Sequence, residues 1–108
     1  MARSYRFGHA EVRPDERALF VDGERARIGG RAFDLLVALL ERRERVVRTD
    51  ELLDTVWPDI AIEENNLQTQ VSALRKLLGR EAIATVSRRG YRFTAPVDEV
   101  EGITRSLF

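Results

Sequence analysis

The apolar residues of this 108-residue chain change their period near residue 30. Before that point, short β-favouring clusters recur at residues 5–7, 10–12, 18–21 and 26–28, separated by Gly8, Pro14-Asp15 and Asp22-Gly23. Clusters of that length between turn residues predict a small antiparallel sheet. Asp22-Gly23 is the strongest turn signal among them, because a two-residue hairpin loop needs positive φ, which Gly and Asp tolerate.

After Gly29-Gly30 the period becomes helical. Phe33, Leu36, Val37 and Leu40 form one stripe, widened by Leu35 and Leu39, which predicts a buried first helix over about residues 31–43. Val46-Val47 interrupt the pattern. Thr49 is placed to N-cap a second helix carrying Leu52, Leu53, Val56 and Trp57, with Asp50 and Glu51 favourable in its first turn. Pro58 ends it, since the residue before a proline is pushed out of the α region. A loop over 58–62 leads to a third helix over about 63–79, where Leu67, Val71, Leu74 and Leu78 recur at helical spacing and Gly79 supplies the stop. Residues 83–86 and 91–94 then read as a β-hairpin around Ser87-Arg88-Arg89-Gly90. Residues 95–108 hold Pro96 and an acidic cluster without a clear period, and read as a tail or linker after one domain over residues 1–95.

The buried stripe of the third helix fixes its exposed face at 100° per residue. With Leu67 at zero, Asn65, Thr69, Ser72 and Lys76 lie between roughly 140° and 200°, and Asn66, Gln68 and Ala73 flank them. In so charged a chain, a helix face that merely meets solvent would carry Glu and Lys in i,i+4 pairs. This one carries amides, hydroxyls and methyl groups, the types that hydrogen-bond base edges and touch thymine methyls. Nearby, Arg88, Arg89 and Arg92 crowd one short hairpin, where their self-repulsion would be relieved by a polyanion.

Charge sharpens this picture. The formal net charge is zero, which taken alone argues against nucleic acid, yet residues 49–64 hold six acidic and no basic residues, while residues 65–94 hold six basic and one acidic. Hydrophobic residues make up 44% of the chain and charged residues 33%, a balance that folds. Without cysteine, no disulfide frame or thiolate zinc site is available. No secretion signal or spanning run is legible, so the expected location is cytoplasmic and nucleoid-associated, with no membrane contact by this chain.

Several stretches together resemble the winged-helix effector domain of the OmpR/PhoB family of transcription regulators. They are Arg31-Ala-Phe-Asp-Leu-Leu36, Glu51-Leu-Leu-Asp-Thr-Val-Trp57, Glu64 through Val71 followed by Ala73-Leu-Arg-Lys76, and Thr85-Val followed by Arg89-Gly-Tyr-Arg-Phe93. Their joint spacing over about residues 5–95 is more specific than any one stretch. The resemblance implies an α+β winged helix-turn-helix: a four-stranded N-terminal antiparallel sheet, three helices and a C-terminal hairpin wing. It also implies double-stranded DNA as partner, with the third helix in the major groove and the wing at the adjacent minor groove. Carried over by position, Asn65, Asn66, Gln68, Thr69, Ser72 and Ala73 face the groove, and Arg75 and Lys76 fall near phosphates. Arg88, Arg89 and Arg92 belong to the wing, with Arg88 standing where relatives often have glycine. Asp59, Ile60, Glu63 and Glu64 fall in and beside the loop that in relatives meets RNA polymerase, and relatives bind tandem half-sites as dimers. Most relatives carry this domain after a receiver domain; here it starts at Met1, so any sensor is expected after Phe108.

An enzyme is the least supported class. His9 is the sole histidine, and no glycine-rich phosphate loop or nucleophile–base pair is legible, so no catalytic residue, metal site or cofactor is expected. The competing reading is a protein-interaction module of the same fold, using the acidic 49–64 stretch to contact RNA polymerase or another regulator without binding DNA.

Overall fold

The clusters of the first 28 residues become β1 (Arg3–Phe7), β2 (Ala10–Arg13), β3 (Ala18–Val21) and β4 (Glu24–Arg25) in the computed structural model, which describes residues 3–101. Asp22 and Gly23 both take positive φ, 54° and 83°, the geometry of a two-residue hairpin turn. That turn sets the register: Val21 pairs with Glu24 and Phe20 with Arg25. The fourth strand therefore occupies Glu24–Arg25, not the apolar cluster at 26–28, because pairing begins directly after so tight a loop. The chain separates into two compact units, residues 1–28 with 95–108, and residues 29–94.

In the first unit, the expected tail contributes a strand. β8 (Asp98–Glu101) pairs antiparallel with β1, giving a five-stranded sheet in the order β4-β3-β2-β1-β8 where four strands were expected. Acidic residues are poor strand formers. Here the register sets Asp98 opposite Arg6, and the Arg3 guanidinium stands 3.6 Å from the Glu99 carboxylate, so cross-strand charge pairing offsets the composition. The rest of the tail, residues 102–108, lies outside the described residues. One face of the sheet carries the buried Tyr5, Phe7, Val12 and Leu19. The other carries Arg6, Glu11, Phe20 and Arg25 in a row, with Glu11 2.9 Å from Arg13, whose guanidinium lies 4.7 Å from the Phe20 ring centroid.

The second unit holds α1 (Gly30–Glu41), α2 (Thr49–Val56) and α3 (Glu64–Leu78) with the strands β5 (Val47–Arg48), β6 (Ile83–Val86) and β7 (Gly90–Phe93). Its core joins Phe33, Leu35, Leu36, Leu39 and Leu40 of α1 to Leu52, Val56 and Trp57, to Leu67, Val71 and Leu74, and to Ile83, Tyr91 and Phe93. Leu78 and Val37, expected on buried stripes, are half-buried. Val47, which breaks the helical pattern, is buried as part of β5, and the sheet order is β5-β7-β6.

Helix ends follow local chemistry in part. Gly79 closes α3 at φ 97°, and α2 stops before Pro58, where the Arg31 guanidinium reaches across to donate to the Val56 carbonyl at 2.6 Å. The expected N-cap Thr49 is instead the first helical residue. Arg48 takes the cap position with no side-chain bond, because pairing with β7 holds it in extended conformation. Among the described residues, no helix is long and apolar enough to cross a membrane.

Candidate nucleic-acid interface

The face of α3 opposite Leu67, Val71 and Leu74 is open. Asn65, Asn66, Gln68, Thr69, Ser72, Ala73 and Lys76 are all exposed. The Thr69 hydroxyl donates to the Asn65 carbonyl at 2.9 Å, which turns its methyl group and oxygen lone pairs outward. The Asn66 amide lies 3.4 Å from both the Glu63 carbonyl and Asn65 Oδ1, a loose engagement at the helix start.

Two sides of this helix differ. Glu64, Gln68 and Arg75 share the side turned to the hairpin, since they follow one another at helical spacing, whereas Asn66 and Ala73 lie on the far side. Between α3 and the hairpin runs an open groove of about 910 Å³, lined by Glu64 and Gln68 from α3, by Arg48, Thr49 and Asp50 around the start of α2, and by Thr85, Arg88 and Arg89 from the hairpin. Tyr91 forms part of its wall. Burial first, and then the charge of Glu64, push the Tyr91 phenol above its ordinary value, against the opposing influence of Arg75, so it meets the groove as a neutral hydroxyl.

The hairpin tip is a three-residue loop, because Val86 pairs with Gly90 and the Arg89 amide donates to the Val86 carbonyl at 3.0 Å. Arg88 sits at φ 64°, a left-handed conformation that glycine adopts at no steric cost. Arg88 and Arg89 are both exposed, and neither has a carboxylate partner among the described residues. The Arg89 carbonyl accepts from the Thr49 amide at 3.2 Å, which ties the tip to the start of α2. Gly90 lies so close to β5 that a Cβ there would run into the Val47 carbonyl.

Two of the residues expected at phosphates or in the minor groove are engaged within the chain. Arg75 donates from Nε and Nη2 to the Ile83 carbonyl, at 3.2 and 2.8 Å, and from Nη2 to Thr85 Oγ1 at 2.8 Å. It fastens α3 to β6. Arg92 donates toward the Arg43 and Glu44 carbonyls just after α1, at 3.3 and 3.5 Å, away from the exposed tip. The hairpin thus presents two arginines together, where the sequence suggested three. Beside it stands Arg48, which the sequence did not single out and whose guanidinium donates to the Asp50 carboxylate at 3.2 Å. Its only signal there was a lone cation ahead of the second helix, and its place beside the tip depends on pairing with Gly90.

The loop between α2 and α3 holds Asp59 at φ 63° and Ile60 at 52% exposure, the one large hydrophobic side chain left open among the described residues, with Glu63 and Glu64 exposed beyond it. Glu51 faces elsewhere. Its carboxylate takes Arg45 at 2.8 Å and Arg42 at 3.1 Å, clasping the end of α1 to α2, and hydrogen bonding from Arg45 holds it below the ordinary carboxylate range. Among the described residues, no group of three His, Cys, Asp or Glu is placed to hold a metal ion.

The chain matches the family described as "Transcriptional regulatory protein, C terminal" over residues 23–93. It is 33% identical over 93 residues to the transcriptional regulator HilA of Salmonella typhi; the alignment takes in 77% of this chain, which spans 17% of the length of that relative. It superposes on the DNA-binding domain of Escherichia coli CadC with a TM-score of 0.77 at 31% identity, covering 88% of this chain and 94% of that one. The DNA-binding domain of Klebsiella pneumoniae RstA, solved in complex with the RstA box, gives a TM-score of 0.71 at 26% identity over 84% of this chain and 96% of that one.

Proposed function

From the premise that this chain belongs to the OmpR/PhoB-type family of transcriptional regulatory protein C-terminal domains, we propose that it binds double-stranded DNA sequence-specifically as the DNA-reading part of a bacterial transcription regulator. α3 enters the major groove and the hairpin, the wing, meets the adjacent minor groove. The observation that carries this is an exposed, almost uncharged polar face on α3 next to a hairpin tip whose Arg88 and Arg89 are exposed and have no carboxylate partner among the described residues, with Gln68 of α3 and both arginines lining one groove. Amides and hydroxyls read base edges, and arginines grip phosphates or enter a narrow minor groove. In this reading Asn65, Asn66, Gln68, Thr69, Ser72 and Ala73 face bases, Lys76 meets phosphate, and the domain performs no catalysis. It extends through β8, acts in the cytoplasm on the nucleoid, and pairs on tandem half-sites.

The test is duplex binding across a salt series. Log affinity should fall linearly with log salt, by about 0.9 per phosphate neutralised, and Arg88→Ala with Arg89→Ala should flatten that slope. A flat response with no duplex bound at low salt would favour the second reading. That reading is a protein-contacting module in which Asp59, Ile60, Glu63 and Glu64 meet RNA polymerase. Its support is the open Ile60 next to Asp59 and shortly before the exposed Glu63 and Glu64 in the chain. In that reading the module contacts RNA polymerase or another regulator without binding DNA, so duplex binding separates the two.

A further inference from the structure

We infer that the target of this domain is an A·T-rich duplex, read by α3 through adenine amide contacts and thymine methyl groups. This rests on the DNA-binding reading above and goes beyond it to the bases themselves.

The major groove presents a distinct code for each pair. Guanine offers the N7 and O6 acceptors, for which arginine and lysine are the matching donors; adenine offers N7 and the N6 amino group, which match the paired acceptor and donor of Asn or Gln; thymine adds a methyl group. The α3 face therefore encodes a preference. It presents three amides, Asn65, Asn66 and Gln68, and two exposed methyl groups, those of Thr69 and Ala73. It presents no free arginine. The one arginine on α3, Arg75, spends its guanidinium on the Ile83 carbonyl and Thr85 Oγ1 and fastens the hairpin, so α3 offers guanine no arginine donor. Lys76 remains, in the last turn of the helix, where it meets the backbone as α3 leaves the groove. The hairpin agrees with the helix. A·T tracts narrow the minor groove and deepen its negative potential, which draws in arginine, and Arg88 and Arg89 stand exposed at the tip with no carboxylate partner among the described residues. Both elements favour the same pairs.

The test is selection of bound duplexes from a random-sequence pool, followed by titration of the selected duplex in chemically edited forms. Uracil in place of thymine removes only the methyl group, and 7-deazaadenine removes only the N7 acceptor. Inosine·cytosine in place of A·T gives the major groove the acceptors of guanine while leaving the minor groove without the guanine amino group. The expected result is an A·T-rich selected site whose affinity falls about tenfold on inosine·cytosine replacement under α3 and changes little under the hairpin. Ser72→Arg, an exposed change in the middle of the face, should move one selected position to guanine. A guanine-rich consensus for the unaltered chain, or indifference to all three edits, would overturn the inference while leaving DNA binding intact. Failure to bind any duplex at low salt would instead remove the reading beneath it.

Discussion

Gly90 shows how a single missing Cβ can hold an interface together. The β7 backbone approaches β5 so closely there that any side chain would strike the Val47 carbonyl, and backbone cannot swing aside as a flexible side chain can. The same close approach sets the Arg89 carbonyl against the Thr49 amide and lines Arg48 up beside the tip. Gly90→Ala should therefore separate β5 from β7 and lower stability by roughly 1 to 3 kcal/mol, the usual cost of overpacking. Thermal unfolding measures that loss. Duplex affinity should fall with it, because the tip loses its tie to α2; an alanine variant that melts with the unaltered chain would show that β5 is not held as described. Arg88 marks the converse case, a charged side chain held at φ 64° where glycine costs nothing sterically.

At the scale of the element, Arg75 decides how α3 and the wing are held. A cation near the end of a DNA-facing helix suggests a phosphate contact, but three hydrogen bonds within the chain give this one an internal role. Arg75→Met keeps most of the apolar stem and removes the guanidinium. It should cost about 1 kcal/mol of stability and weaken duplex binding, while leaving the slope of affinity against salt unchanged. A slope reduced by about 0.9 would return Arg75 to the phosphates. The Glu51 clasp between α1 and α2 gives a pH signature. Its carboxyl is held below the ordinary 4.5, led by hydrogen bonding from Arg45 and aided by Arg42. A folded-state value below the unfolded one adds stability that is present above the unfolded value and is lost as pH falls through the folded one. The difference in melting temperature between the chain and Glu51→Gln should thus be seen near neutrality and close in acid; a gap that persists in acid would assign it to something other than this titration. The sequence disclosed the α3 face, the Asp22-Gly23 turn and the stops at Pro58 and Gly79, because each follows from neighbours in the chain. It could not disclose which arginines would find carbonyls. Arg75, Arg92 and Arg31 look alike in the sequence, and their partners are respectively 8, 49 and 25 residues away.

For the molecule as a whole, the least legible element is the one that closes the first sheet. β8 is acidic, lacks a clear apolar alternation and pairs with the opposite end of the chain, so neither composition nor local spacing announces it. Its register with Arg3 and Arg6 supplies what its composition lacks. That placement has a second consequence. Without β8, β1 would be an edge strand with Tyr5 and Phe7 in its sequence and a row of unpaired amides and carbonyls, a template for pairing with other chains. Asp98 and Glu99 cover it with charge. Truncation after Ala95 should remove four cross-strand pairs, worth roughly 1 to 3 kcal/mol together, and lower the melting temperature by about 5 °C or more. The shortened chain should also self-associate with rising concentration, measurable by sedimentation, while its α3 face and wing keep their preference among duplexes. If the shortened chain melted with the full one and stayed monomeric, the strand would be dispensable and the expectation of a tail from residue 96 would stand.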